Sequence, residues 1–191
     1  MPTTTTISPT SSAKAIDATR HWLEAAVIGL NLCPFAKAVH QRQQIHYRVS
    51  SAATKTALLE DLVDALKALV AADPASIDTT LLIHPFVLID FFDYNDFLAS
   101  ADRTLINLDL DGVIQIASFH PHYQFANTLA DDIENFTNRS PYPMLHLLRE
   151  SSVDRALAAF PDTDSIVTRN SATMRRLGLE GWRALGIGGD A

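Results

Sequence analysis

Cysteine is almost absent from this chain of 191 residues, since it occurs once, at Cys33. A single cysteine excludes an internal disulfide and is typical of the reducing cytoplasm, which is the location we expect. Glycine is also sparse, with 7 residues, and no GxGxxG follows a strand and no GxxxxGK(S/T) occurs. The common nucleotide-binding folds are therefore not indicated, and the absence of GxSxG removes the usual hydrolase elbow.

Long hydrophobic runs and positive charge are lacking as well. The apolar stretches 81–83 and 86–89 are too short to cross a bilayer, and His84 and Asp90 interrupt them. The chain has 15 Lys and Arg against 22 Asp and Glu, which gives a net charge of −7. We therefore expect neither nucleic acid nor a membrane as a partner, and the sequence does not indicate an oligomeric state.

Hydrophobic residues make up 47% of the chain, which is enough to build one domain with a proper core. Residues 2–12 contain only Pro, Thr, Ser and one Ile. Such a segment buries too little apolar surface to offset its ordering entropy. We predict a disordered tail over residues 1–13, a single domain over 14–186, and a frayed end over 187–191.

Hydrophobic periodicity alternates between helix and strand along the domain. It predicts helices over 14–31, 34–41, 54–72, 91–108, 151–160 and 164–177, a short helix near 128–136, and strands over 44–50, 79–84, 113–120 and 144–149. This order is typical of an α/β protein. We predict a single domain with about four strands in a largely parallel or mixed sheet covered by helices, and a ferredoxin-like α+β fold is the alternative.

Two of the predicted strands end in the same way, at His84-Pro85 and at His120-Pro121. Ligands of open parallel sheets bind beyond the carboxyl ends of the strands, so parallel strands would bring both imidazoles to one edge. The fourth strand would deliver Arg149 and Glu150 to that edge as well. The alternative is that each histidine caps its strand and binds a loop carbonyl.

The segment His120-Pro121-His122 also has some character of a metal site. Two imidazoles, together with His84 or with a carboxylate from Asp131 or Asp132, could hold a divalent metal such as zinc or iron. The signal is weak, because the sequence has neither HExxH nor a pair of cysteines at ligand spacing.

Pro34 follows the single cysteine and suits the first position of a helix. Cys33 would then be the N-cap, where the amides and the dipole of the helix favour a thiolate that acts as a nucleophile. The alternative is a buried cysteine that behaves as a small hydrophobic residue.

The densest polar stretch lies around residues 135–150. Arg139 and Arg149 offer planar guanidinium groups that match a carboxylate or phosphate, and Asn138 adds a short donor. This stretch predicts binding of a small anionic molecule. The alternative is a loop whose side chains cap its own backbone. His146 lies within the fourth strand and is expected to be a core histidine.

Three stretches, LNLCPFA at 30–36, FHP with YQF at 119–125, and TNRSPYP with LHLLRE at 137–150, resemble the bacterial and plastid family known as domain of unknown function 1415. The resemblance runs from about residue 15 to 186. It implies no activity, but it gives motif positions at Cys33, Pro34, His84, His120, Asn138, Arg139, His146, Arg149 and Glu150. The place of His122 is usually taken by other polar residues in that family, which weakens a His120–His122 metal pair.

Two hypotheses follow. The first is a small-molecule enzyme that acts on an anionic substrate, with His120, Cys33 and Glu150 as catalytic residues. Its substrate would be bound by Asn138, Arg139, Arg149 and His84. The second is a non-catalytic accessory protein that uses the same pocket to hold a cofactor or a partner.

Overall fold

The computed structural model describes residues 9–159 and 164–188. The helices are α1 (Pro9–Trp22), α2 (Ala36–Gln41), α3 (Lys55–Ala71), α4 (Phe91–Asn107), α5 (Glu150–Ala159) and α6 (Asp164–Ala184). The strands are β1 (Ile45–Val49), β2 (Thr79–Ile83), β3 (Ile114–Phe119) and β4 (Met144–Arg149). A π-helical segment (Leu23–Ile28) continues α1, and a 3₁₀ helix (Ile133–Asn138) precedes β4. No helix within the described ranges is long and apolar enough to span a membrane.

The four strands form one mixed sheet in the order β1-β2-β4-β3. β1 and β2 pair in parallel, whereas β4 lies between β2 and β3 and pairs antiparallel with both. β1, β2 and β3 therefore point the same way, and β4 points the opposite way. The prediction of an α/β fold with four strands is confirmed in its mixed form. The element order βαβαββ differs from the βαββαβ order of a ferredoxin-like fold.

Two hydrophobic cores cover the two faces of the sheet, because successive strand residues point to opposite faces. Leu82, Leu145 and Leu147 face α3 and α4. Leu81, Ile83 and Met144 face α1, the π-helical segment, the 3₁₀ helix and α6. All five residues of β2 are buried, as expected for a strand that is covered on both faces.

The two helices on the first face start at side-chain caps. The Thr54 hydroxyl accepts the Ala57 N–H at the start of α3. The Asp90 carboxylate accepts the N–H groups of Phe92 and Asp93 at the start of α4. These contacts satisfy amides that have no partner inside a helix, so both starts agree closely with the sequence pattern.

Several boundaries differ from the prediction. α1 begins at Pro9, so residues 9–13 are helical where we expected a disordered tail, and residues 1–8 lie outside the described ranges. The short helix near 128–136 is a 3₁₀ helix that lies slightly further along the chain. α6 continues beyond residue 177, but Gly178 has φ of 65° and breaks it at that point. The predicted frayed end falls partly on residues 187 and 188, which have no regular structure, and partly outside the described ranges.

Tyr94 of α4 ties the helix to the sheet at the ends of β3 and β4. Its hydroxyl donates to the Met144 carbonyl at 2.8 Å and accepts the Phe119 N–H at 3.1 Å. Met144 and Phe119 face each other in the antiparallel register. The hydroxyl therefore satisfies two backbone groups that lie at the end of the ladder.

We predict that Tyr94→Phe lowers the free energy of unfolding by about 2–3 kcal/mol, because it leaves two buried backbone groups without a partner. Tyr47→Phe is the matched control. The Tyr47 hydroxyl is buried and has no hydrogen bond within the described ranges, although the Arg20 guanidinium lies 5.3 Å from the ring centroid. Urea denaturation of both variants checks the prediction, and an equal loss in the two would contradict it.

Candidate functional site

The loop of residues 84–90 joins β2 to α4 and lies over the carboxyl ends of β2 and β3. Two imidazoles hold it. His84 Nδ1 donates to the Val87 carbonyl at 3.0 Å, and His120 Nε2 donates to the Leu88 carbonyl at 3.1 Å. Leu88 has φ of 59°, a left-handed conformation that leucine rarely adopts. The two hydrogen bonds therefore fix a strained loop.

His120 has backbone partners at both ring nitrogens. Its Nδ1 accepts the His122 N–H at 3.0 Å, so the proton is on Nε2, which points at Leu88. The residue is fully buried, and burial lowers the pKa of His120 to about 4. The contacts match those of a strand-capping histidine that binds a loop carbonyl, so the geometry gives no open nitrogen for proton transfer to a ligand.

His84 lies at the same edge of the sheet as His120, as the two matching strand ends predicted. Tyr94 lies between them, with ring centroids 5.8 Å from His84 and 5.1 Å from His120. His84 is fully buried, and burial lowers its pKa to about 4. Its Nε2 atom is buried and has no hydrogen bond partner within the described ranges. Its contacts are with the core and not with the surface.

Asn138 secures the end of β3 from the other side. Its carbonyl accepts the His120 N–H at 3.2 Å, and its side-chain amide donates to the Ser118 carbonyl at 3.2 Å. Asn138 thus continues the hydrogen-bonding pattern of the sheet past Phe119. Asn138, which we predicted to bind substrate, uses its carbonyl and its side-chain amide to position the chain that precedes β4.

Arg139 follows directly and is half-buried. Nε donates to the Tyr123 carbonyl at 3.4 Å, Nη2 donates to the Ala130 carbonyl at 2.6 Å, and the guanidinium carbon lies 3.9 Å from the centroid of the Phe136 ring. Burial lowers the pKa of Arg139, and the nearby Asp131 carboxylate acts against this shift. Nη1 has no hydrogen bond in the part of the chain that the structure describes.

A cleft of about 360 Å³ opens beside Arg139 at this edge of the sheet. One side, the cap side, comes from the end of the loop and the start of α4. The other, the return side, comes from the chain between β3 and β4. The two sides meet where Phe91 contacts Tyr123, with centroids 5.1 Å apart. The cap side comprises Ile89, Asp90, Phe91 and Phe92, and the return side comprises His122, Gln124, Ala130, Asp131 and Arg139.

Arg139 and this edge were candidates from the sequence, whereas Asp90, Phe91 and Phe92, which line the same cleft, were not. The available signal was the N-cap pattern: an aspartate that opens the helix after a strand and a short loop is expected near the carboxyl edge of that strand. His122 and Asp131 were predicted only as metal ligands, yet both line the cleft.

Arg149 and Glu150 lie at the opposite edge of the sheet, so their predicted placement beside the histidines is wrong. The reason is the direction of β4, which runs antiparallel to β2 and β3. Arg149 Nη2 donates to the carbonyls of Leu69, Ala72 and Ile77 at and beyond the end of α3. Glu150 is the first residue of α5. Neither residue reaches the cleft.

Cys33 is not a helix N-cap, because Pro34 and Phe35 form a turn and α2 begins only at Ala36. The thiol packs against the core on the second face of the sheet, whereas His120 lies on the first. The structure therefore does not bring Cys33 and the two histidines together, and the helix-terminus argument for an activated thiolate does not hold.

The predicted metal ligands do not form a metal site. Within the described residues, no group of three or more His, Cys, Asp or Glu side chains is arranged to hold a metal ion. The His120 and His122 rings are 5.9 Å apart, but both nitrogens of His120 already have backbone partners. The geometry thus removes His120 from any ligand set.

The fold defines an α/β protein with a cleft, lined by polar and apolar side chains, at the carboxyl edge of a mixed sheet. The chain belongs to the family described as protein of unknown function DUF1415, whose model matches residues 14–184. The resemblance of the three sequence stretches is thereby confirmed. Comparison with curated proteins and comparison with solved structures each gave no match.

We predict that the protein loses stability as the pH falls from about 6.5 toward about 4. Burial lowers the pKa values of His84, His120 and His146 to about 4, whereas an unfolded histidine has a pKa of about 6.5. Below about 6.5 the unfolded chain takes up protons that the folded chain does not, at a cost of up to about 3 kcal/mol for each imidazole.

Urea titrations at pH 7.5, which lies above the window of about 6.5 to 4, and at pH 6.0 and 5.0, which lie inside it, measure this loss. In His146→Gln the amide can still donate to Thr79, which His146 Nε2 contacts at 2.7 Å. Between pH 7.5 and 5.0 this variant should lose less free energy of unfolding than the wild type, and the difference is the contribution of one imidazole. An equally steep loss would show that His146 titrates normally.

We also predict that Arg149→Met lowers the free energy of unfolding by about 2–4 kcal/mol, because the carbonyls near the end of α3 lose their buried donor. Arg155→Met is the control, since Arg155 is exposed and its one hydrogen bond among the described residues is to Ser152 of its own helix. It should change stability by less than about 0.5 kcal/mol. Chemical denaturation distinguishes the two, and a neutral Arg149→Met would contradict the structural role.

Proposed function

We propose that this protein is a small-molecule enzyme that binds an anionic substrate in the edge cleft, with Arg139 as the anchor and His122 as the proton-transfer residue. One observation carries the proposal: the cleft brings a half-buried guanidinium and an exposed imidazole together at the sheet edge where α/β proteins bind ligands.

Arg139 suits the anchor because its position is already fixed. Two carbonyl contacts and the face of Phe136 hold the guanidinium, so little side-chain entropy remains to be lost when a ligand binds. Nη1 is the donor left for a carboxylate or phosphate. Partial burial strengthens such a charge-assisted hydrogen bond.

His122 replaces His120 as the residue we assign to proton transfer. A proton carrier needs a ring nitrogen that can reach the ligand. Both ring nitrogens of His120 are bound to the backbone, whereas the His122 ring is exposed and lines the cleft. His120 and Asn138 act as positioning residues, because His120 fixes the cap side and Asn138 fixes the chain just before Arg139.

We predict that the wild-type protein converts an anionic compound from a mixture of cellular metabolites, as followed by mass spectrometry. His122→Asn should slow the conversion about 100-fold or more, the loss expected for a general acid or base, while the compound still binds. Arg139→Gln should abolish binding and conversion together. Arg155→Gln, at an exposed position outside the cleft, should behave as wild type.

Two outcomes would change the assignment. Binding that depends on Arg139, without conversion of any compound, would favour the accessory protein that holds a cofactor or partner. Conversion that is unaffected by both substitutions would show that the edge cleft is not the active site.

A further inference from the structure

The edge cleft carries charges of both signs, and they are divided between its two sides. Asp90 belongs to the cap side, whereas Arg139 belongs to the return side together with Asp131. The three formal charges sum to −1, so a ligand that is only an anion is repelled by the carboxylates while it is attracted by the guanidinium. A ligand that carries a positive group as well as a negative group can pair with Asp90 on the cap side and with Arg139 on the return side.

We propose that the substrate is a zwitterion, an amino acid or short peptide whose protonated amine pairs with Asp90 and whose carboxylate pairs with Arg139. This inference rests on the proposed function and specifies its substrate class. The two partners come from separate segments of the chain, so such a ligand spans the cleft from the cap side to the return side.

Asp90 is well suited to bind an amine. One carboxylate oxygen, Oδ1, accepts the N–H groups of Phe92 and Asp93, which fixes the orientation of the side chain. The second oxygen, Oδ2, has no hydrogen bond within the described ranges, so a preorganised acceptor is open on the cap side.

The same side also presents apolar surface to the ligand. Phe92 is 70% exposed and Ile89 is 50% exposed, although both are large hydrophobic residues that line the cleft. Covering them removes apolar area from water, which favours a ligand with an apolar or aromatic side chain. An aromatic amino acid therefore matches the charges and the surface together.

Two substitutions in the first turn of α4 separate the charge of Asp90 from its role as a cap. Asp90→Asn removes the negative charge, and asparagine is as good an N-cap as aspartate. Asp93→Asn is the matched control, because Asp93 lies in the same turn and pairs with Lys55 but does not line the cleft. Equal melting temperatures show that both variants keep the helix.

The probes are L-phenylalanine and L-phenylalanylglycine, which differ in the distance between amine and carboxylate, and the N-acetyl form of each. Calorimetry or NMR titration measures their binding. We expect at least one of the two zwitterions to bind about tenfold or more tightly than its N-acetyl form. Asp90→Asn should bring this ratio close to one, Asp93→Asn should preserve it, and Arg139→Gln should weaken both members of the pair.

The failure of this inference differs from the failure of the proposed function. If the N-acetyl forms bind as tightly as the zwitterions, and Arg139→Gln abolishes that binding, the anion site stands and the zwitterion is excluded. A preference that persists in Asp90→Asn would show that Asp90 does not bind the amine. If no probe binds to the wild type at about 10 mM, the aromatic zwitterion is contradicted, whereas the anchoring role of Arg139 is decided by the Arg139→Gln variant and the metabolite mixture.

Discussion

Two neutral imidazoles at the ends of β2 and β3 hold the part of the molecule on which the cleft depends. Each donates one proton to a carbonyl of the 84–90 loop, His84 to Val87 and His120 to Leu88. These contacts stabilise the left-handed backbone of Leu88, which is unfavourable for a leucine by itself. The position of Asp90, which closes the loop and opens α4, follows from them.

The hydrogen bonds of His120 require its imidazole to be neutral. His120 Nδ1 accepts the His122 N–H, and a protonated ring would place two donors against each other. Folding of the edge and the charge state of the His120 ring are therefore linked. Burial, which lowers the pKa values of both histidines, strengthens the preference for the neutral ring. The hydrogen bond from the His122 N–H occupies Nδ1 of His120, and the same bond helps to position His122 in the lining of the cleft.

The sequence predicted much of the fold because its periodicities are strong and local. Leu58, Leu62 and Leu69 mark one face of α3, and the repeated His-Pro endings place the carboxyl ends of β2 and β3 correctly. The direction of β4 was not predictable in this way. Alternation of apolar residues is the same for a parallel and an antiparallel strand, and the 24 residues between β3 and β4 are long enough for either connection.

This one ambiguity accounts for the largest error at the candidate site. Because β4 runs antiparallel, Arg149 lies at the end of α3 and not at the predicted ligand edge. Its guanidinium donates there to the carbonyls of Leu69 and Ala72. Cys33 was misplaced for a different reason. Proline is favoured in the first turn of a helix and also in a turn that precedes a helix. Pro34 lies in such a preceding turn, and α2 begins at Ala36.

The site also shows why residue type alone does not identify a proton carrier. His120 and His122 stand two positions apart just beyond β3. The pleat of a strand would point both rings to one face, but the turn at residues 121 and 122 leaves one ring buried and the other exposed. The buried ring has all its hydrogen-bonding capacity taken by the backbone, which makes it a structural residue. The exposed ring retains that capacity and shares a cleft with an anchored guanidinium. Which histidine can act on a ligand is therefore decided by the partners of each nitrogen, and these become visible only in the folded chain.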